Sequence, residues 1–472
     1  MSADLCFEHA TTLARLVRER KVSAMTVLRA HLDRIERVNP KVNAIVTTTF
    51  EQAERDAARV DERLARGDAV GPLAGLPVAH KDLTPTKGVR TTFGSPLFKD
   101  FIPDADALVV ERLKAADAIT VGKTNTPEFG AGSQTFNRVF GATRNPWDVS
   151  RTCGGSSGGA AVALACGMVP IADGTDLGGS LRNPASFCNV VGFRSSPGRV
   201  PNWPSLSAWF TLGIGGPMAR TVGDAALMLS AIAGPDDRAP VSLQQSGDRF
   251  AGSLARDFKG ARIAWSRTLG GLPIESDVLS TLDAAVPALE RLGCRVEAAD
   301  PDLRDADEVF RVLRAWYFEA IHGELLRTKR SELKQTVVWN IEEGQKLSGA
   351  DVGRAERKRT EMFHRLRKFF ETYDYLVCPV AQVLPFDIET EYPMTVAGQA
   401  MHTYLDWMQS CYLISATTLP ALSVPAGFSA QGLPVGLQIV GRPLDDLGVL
   451  QLAHAFEGVT AYHEKRPPVV VG

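Results

Sequence analysis

Two glycine-rich serine clusters, set at the two ends of one apolar run, constrain this chain more than any other feature. Between Arg151 and Arg182 the sequence reads R-T-C-G-G-S-S-G-G, then an apolar run from Ala160 to Ala172, then D-G-T-D-L-G-G-S-L-R. Glycine pairs let the backbone take positive φ and approach another group closely, at an entropic cost that a fold tolerates where geometry matters. A row of backbone N–H groups free of bulky side chains is also a means of holding an anion or an oxyanion. Ser156, Ser157 and Ser180 are therefore candidates for a site in which one serine attacks a carbonyl and another assists it.

A serine hydroxyl needs a base before it can attack an amide or ester. G-G-S-S-G at 154–158 fits G-x-S-x-G, a nucleophile elbow that follows a strand and relies on a later histidine. The preceding N-P-W-D-V-S-R-T-C is polar and turn-like and the chain contains no H-G-G-G, which argues against a histidine triad. Gly122-Lys123-Thr124 looks like the end of a phosphate-binding loop, but the first glycine of that motif would fall at Asp117, so the nucleotide reading fails. Eight histidines form no H-E-x-x-H, and seven cysteines are scattered without a C-x-x-C pair. Neither a metal site nor a disulfide frame is expected, and the thiols read as reduced.

The net charge of -2 supplies no field toward nucleic acid or an anionic membrane. The run Ala160–Ala172 is too short to span a bilayer, and the N-terminus MSADLCFEHATTLARL does not read as a secretory signal, so a cytoplasmic protein is expected. After Ser23 as N-cap, Val27, Leu28, Leu32, Ile35 and Val38 recur at helical spacing, and Pro40 is expected to stop that helix. A charged helix over 50–66 ends at Gly67, and P-V-A-H-K-D-L reads as a strand with Lys81 at its exit. Further strands are predicted at 118–121, 188–193, 261–265, 294–297, 375–379, 421–425 and 437–441. Helices are predicted at 221–233, 277–292, 304–330, 351–371 and 446–457, with Arg354–Arg359 and its interleaved Glu356 on a solvated face. Alternating elements without a repeat, linker or composition break favour one large α/β domain.

Taken together, G-G-S-S-G-G (154–159) and D-L-G-G-S-L-R-N-P-A (176–185) resemble the two core motifs of the amidase signature family. P-V-A-H-K-D-L (77–83) resembles its lysine motif. N-P-W-D-V-S-R (145–151), V-V-G-F (190–193), G-R-V (198–200), G-P-M-A-R-T-V-G-D-A-A (216–226), L-P-A-L-S-V-P-A-G (419–427) and G-L-P-V-G-L-Q-I-V-G-R-P (432–443) follow in order. The resemblance implies the amidase signature fold, an α/β architecture with a large mixed twisted sheet covered on both faces by helices. It also implies a single domain over 1–472: N-terminal helices to about 70, a signature core at about 71–235, a variable substrate-shaping region at about 236–415, and a return to the sheet at about 416–472.

The family's catalytic lysine falls on Lys81. Its bridging serine, which the family holds after a cis peptide bond, falls on Ser156, and its nucleophile on Ser180. The oxyanion hole would be the N–H row of Leu177, Gly178, Gly179 and Ser180, with Ser157, Asp176 and Arg182 in support and the latter two as an ion pair fixing the loop. A free lysine has a pKa of about 10.4, and burial draws it toward neutrality. A neutral Lys81 could then relay protons through Ser156 to and from Ser180, giving an acyl-enzyme that water cleaves. No cofactor or metal is implied.

The chain departs from the family pattern at Cys153, Leu177, His80, Asn189 and Arg194-Ser195-Ser196, none of which removes a catalytic group. The variable segments are rich in aromatics, and Trp203, Trp209, Phe210, Trp316, Tyr404 and Trp407 are candidates for the substrate pocket. Aromatic pockets suit aryl or bulky apolar ligands. The expectation is hydrolysis of a small aryl or hydrophobic amide to a carboxylate and an amine or ammonia, with no nucleic-acid or membrane partner and with room for a homodimer. Two alternatives stay open. One is the glutamine-hydrolysing A subunit of a tRNA amidotransferase complex, and the other is ester or carbamate cleavage.

Overall fold

The strand that ends at Lys81 and the strand that leads into the second serine cluster lie side by side. In the computed structural model, which describes residues 4–471, β1 (Ile45–Thr48), β2 (Pro77–Lys81) and β3 (Ile119–Thr124) precede two short ribbon strands, β4 (Phe136–Asn137) and β5 (Gly141–Ala142). The first serine cluster follows, then β6 (Ile171–Asp176), β7 (Val191–Arg194) and β8 (Ile214–Ala219). Next come β9 (Arg262–Trp265), β10 (Arg295–Ala298), β11 (Tyr375–Pro379), a second ribbon of β12 (Thr395–Val396) and β13 (Gln399–Ala400), then β14 (Ala421–Phe428) and β15 (Pro434–Val440). Eleven of these strands form one sheet in the order β1-β3-β2-β6-β8-β7-β14-β15-β11-β9-β10.

The sheet is mixed. β2 pairs in parallel with β3 and β6, while β6, β8, β7, β14, β15 and β11 follow one another antiparallel. Val78 sits opposite Ile171 and Ala79 opposite Ala172, so Lys81 and the end of β6 leave the sheet at the same edge. Every residue of β2 is buried, as expected for a strand covered by helices on both faces. One of those helices, Gly158–Ala165, is buried all round and begins in the first serine cluster. A Cβ on Gly159 would stand 2.3 Å from Asn125 N and 2.7 Å from Ala44 O, so glycine is what lets this helix seat against the sheet.

Two expectations need correction. The second helix runs Ala24–Val42 through Pro40 and ends at Asn43, whose φ is 53°. Pro40 falls in the last turn, where losing one N–H removes a single bond, and the Asn39 side chain accepts from Ala44 N and Ile45 N to close the end. The stretch 188–193 is not one strand. A helix, Arg182–Cys188, ends there, Asn189 turns the chain at φ 60°, and β7 follows. Arg354, Glu356 and Arg357, on the helix Gly349–Thr372, are exposed as expected, and Arg354 and Lys358 also pair across to Glu308. The helices Gln335–Gln345 and Gln409–Thr417 are additions. In the latter every residue from Ser410 to Thr417 is buried, so it carries no one-sided apolar period to read. Among the described residues no helix is long and apolar enough to cross a membrane.

Candidate active site

Lys81 stands at the end of β2, fully buried, with its ammonium nitrogen among hydroxyls. Its Nζ is 2.8 Å from Ser156 Oγ, 2.8 Å from Ser157 Oγ and 2.9 Å from Thr175 Oγ1. Burial pulls its pKa from 10.5 down to about 7, with Asp176 and then Asp173 opposing that shift. A lysine so placed gives up its proton far more readily than a free one, and its nitrogen lies within hydrogen-bond distance of three hydroxyls.

The first serine cluster wraps the entry to the helix Gly158–Ala165. The peptide between Gly155 and Ser156 is cis. Both serines meet Lys81, but only Ser156 also lines the cavity that opens on the site. Ser157 turns inward, its N–H donating to Ser180 O at 3.2 Å and its Oγ lying 3.4 Å from both Thr175 N and Thr175 O. Ser157 therefore ties the two clusters together.

The second cluster is a loop folded around one carboxylate. Asp176 Oδ1 accepts from Gly179 N at 2.9 Å, Arg182 Nη2 at 3.0 Å and Arg194 Nη1 at 3.1 Å. Its Oδ2 accepts from Leu181 N and Arg182 Nε, each at 3.1 Å. Burial alone would raise the Asp176 pKa, and the two guanidiniums outweigh it and hold the carboxyl well below its usual range. The Asp176–Arg182 pair expected from the sequence is present, and Arg194 joins it as a second cation. Arg194 appeared in the sequence only as a departure after V-V-G-F, and a charged residue closing a strand that is otherwise apolar was the one signal for it.

This arrangement divides the expected oxyanion row. The Gly179 N–H is engaged by Asp176, whereas among the described residues the N–H groups of Leu177, Gly178 and Ser180 have no partner in the chain. Gly179 has φ 116°, and a Cβ there would lie 2.4 Å from Cys411 Cβ, so the loop needs glycine at this point. Ser180 is 7% exposed and, with Ser156, Leu177 and Gly178, lines a cavity of about 560 Å³.

The cavity walls carry several aromatic side chains, but only part of the expected set reaches them. Trp203 and Phe210 line the cavity, Trp203 next to a cis bond to Pro204. Trp209 and Trp316 do not, being 76% and 37% exposed. Trp407 is buried between Phe187 and Phe386, and Tyr404 is buried with its hydroxyl on Arg314 and Asn340. In their place the helix Ala306–Lys329 presents Tyr317, Phe318 and His322, and Phe93 and Phe129 complete the wall. Trp316 and Tyr317 are neighbours in sequence yet about 100° apart around a helix, which is why one faces out and the other in. Phe210 stacks on Tyr317 with ring centres 4.2 Å apart.

Behind Lys81 lies a polar group that the lysine motif hinted at only through His80. His80 Nδ1 is 2.7 Å from Asp173 Oδ1 and His80 Nε2 is 3.0 Å from Thr120 Oγ1. Thr84 Oγ1 donates to Asp173 Oδ2 at 2.8 Å. Buried Lys123, from the rejected phosphate-loop stretch, donates to Thr86 Oγ1 and Thr91 Oγ1 at 2.9 and 3.1 Å, and burial draws its pKa down to about 8. His80 thus locks β2 to β3 and β6, and its partner Asp173 lines the same cavity as Ser156 and Ser180. The seven cysteines are all free and buried, and among the described residues no cluster of His, Cys, Asp and Glu could hold a metal ion.

The chain as a whole is similar to known proteins. A model of the amidase family matches residues 26–450. An acylamidase of Rhodococcus erythropolis is 37% identical over 466 residues, which is 97% of this chain and 96% of that one. The A subunit of the glutamyl-tRNA(Gln) amidotransferase of Moorella thermoacetica is 38% identical over 497 residues, covering 99% of this chain and 100% of that one. Among solved structures, a bacterial aryl acylamidase of the amidase signature family matches with a TM-score of 0.91 at 30% identity, over 97% of this chain and 98% of that one. The family model, the relatives and the matching fold agree, and the chain belongs to the amidase signature family, hydrolases that act on amides.

Proposed function

We propose that the chain hydrolyses an aryl or hydrophobic carboxylic amide through an acyl-enzyme on Ser180. Neutral Lys81 takes the proton of Ser156, Ser156 takes that of Ser180, and Ser180 Oγ bonds to the carbonyl carbon. Negative charge on the carbonyl oxygen is held by the N–H groups of Leu177, Gly178 and Ser180, while the Gly179 N–H and Asp176 keep the loop in shape. One such donor typically stabilises the transition state by about 3–4 kcal/mol. The C–N bond then breaks, the leaving nitrogen takes a proton from Ser156, and Lys81 returns its proton to Ser156. Water repeats the sequence on the ester and frees the carboxylate.

The observation that carries this reading is Lys81 Nζ, buried and 2.8 Å from Ser156 Oγ, where Ser156 and Ser180 share one cavity that carries several aromatic side chains. The walls favour an aryl or apolar group over a small polar one. The 38% identity to an amidotransferase component supports a second reading, ammonia release from glutamine within a complex. A fluorophosphonate probe should label the purified chain and fail to label Ser180→Ala; labelling that persists in the variant would place the nucleophile elsewhere. Hydrolysis of acetanilides by the chain alone, without ATP, supports the first reading, and turnover of glutamine but not anilides supports the second.

A further inference from the structure

One wall of the cavity carries a cation for which the described residues supply no anion. Arg314, on the helix Ala306–Lys329, is 4% exposed and lines the same cavity as Ser156 and Ser180. Its Nε donates to Asn340 Oδ1 at 3.1 Å and its Nη2 to Tyr404 Oη at 2.7 Å. Those acceptors are themselves fixed, since Asn340 Nδ2 donates to Tyr404 Oη at 2.7 Å and to Thr336 O at 2.6 Å. Among the described residues Nη1 of Arg314 has no hydrogen-bond partner, and no Asp or Glu lies within ion-pair distance of the guanidinium. Its neighbour Arg311 pairs with Asp307 and Asp406, and Arg182 and Arg194 share Asp176.

A buried guanidinium without a counter-ion is costly, and such a cost persists where a ligand supplies the missing charge. The alternative anions in the cavity are taken, Asp173 by His80 and Thr84, and Asp176 by the two arginines. With Nε and Nη2 anchored, the planar fork is pre-oriented, and the N–H groups of Nη1 remain for a carboxylate oxygen. The face of Phe318 packs on the guanidinium at 4.6 Å, which keeps water from its flank.

We propose that Arg314 is a specificity-determining residue that binds a carboxylate on the substrate, so the preferred amides combine an apolar or aryl part with an anionic group. This rests on the reading of the cavity as the acyl-transfer site. The test measures kcat/KM for two matched pairs. N-glutaryl-4-nitroanilide against N-hexanoyl-4-nitroanilide places the charge on the acyl side, and 4-acetamidobenzoate against 4-acetamidotoluene places it on the amine side. The native enzyme should prefer the carboxylate in one pair by about 10–100-fold, the range of a charge-assisted hydrogen bond. Arg314→Gln should bring that ratio close to one and Arg314→Lys should keep part of it, and a ratio taken within each enzyme cancels any general loss of activity. Binding to the native chain offers a route that needs no variant. Phenylvalerate should inhibit at least about tenfold more tightly than phenylpentanol. Equal inhibition by the two, preference for the neutral member of both pairs, or a ratio that survives Arg314→Gln would overturn the proposal. Failure of the fluorophosphonate to label Ser180 in the native chain would overturn the site reading itself, whereas labelling with no carboxylate preference would overturn only the role of Arg314.

Discussion

Lys81 is the group whose titration should set the pH dependence of the reaction. Moving its pKa from 10.5 to about 7 means that burial disfavours the ammonium strongly. At 1.36 kcal/mol for each tenfold change in acid strength, that is on the order of 5 kcal/mol. Only the neutral amine can accept the proton of Ser156. For a neutral amide substrate kcat/KM should therefore rise about tenfold per pH unit below 7 and level off above it, as a single basic group requires. Lys81→Met should lose the limb and about 10²–10⁴-fold of the rate, the usual worth of a positioned base. Stability gives an independent readout with a definite sign. Between pH 7 and about 10 the unfolded chain holds a proton on Lys81 that the folded chain has released, so folding is favoured increasingly as pH rises through that window. The native chain should gain up to about 1.4 kcal/mol per pH unit relative to Lys81→Met there, measured by urea unfolding at fixed temperature. A flat rate profile from pH 5 to 9 with chemistry rate-limiting, or parallel stability curves for the two proteins, would refute the argument.

The carboxylate at the centre of the nucleophile loop should matter for folding first. Asp176→Asn leaves Arg182 and Arg194 buried together without an anion and should cost about 3–5 kcal/mol, read as a fall in the urea midpoint. Gly179→Ala places a methyl 2.4 Å from Cys411 Cβ at a φ of 116°, so the loop must shift. Because the next residue is Ser180, fluorophosphonate labelling should slow by at least about tenfold while the melting temperature falls by only a few degrees, and an unaltered labelling rate would show that the loop tolerates the methyl.

Much of the site was legible because the chemistry leaves its mark in short segments. H-K-D, G-G-S-S-G-G and D-L-G-G-S-L-R each demand particular residues at particular spacings, and Lys81 and Ser156 meet where those motifs imply. The aromatic wall was much less legible. Trp203 and Phe210 reach the cavity, but Tyr404 and Trp407 turn into the core and Trp209 and Trp316 turn outward. Composition announced aromatic residues near the site without their directions, which depend on helix phase and on the packing of distant segments. His80 was noted only as a departure and Arg314 not at all, because a buried polar group is recognised by its partners. Those partners, Asp173 and Thr120 for one, Asn340 and Tyr404 for the other, lie 93, 40, 26 and 90 residues away.

Backbone-level features are written in short runs of residues: where glycine is needed, which segments bury both faces as strands, and which serines and lysine carry the motifs. These are properties of a few consecutive residues, and neighbouring positions in the chain constrain them. Folding sets how charge is distributed around the site. Among the described residues it places Lys81 among three hydroxyls with no carboxylate in contact, gives Asp176 two guanidiniums, and leaves Arg314 without a paired carboxylate. Burial and counter-ion proximity are set by residues brought together across a sheet of eleven strands. Electrostatic energy in a low-dielectric interior depends on those distances and not on position along the chain.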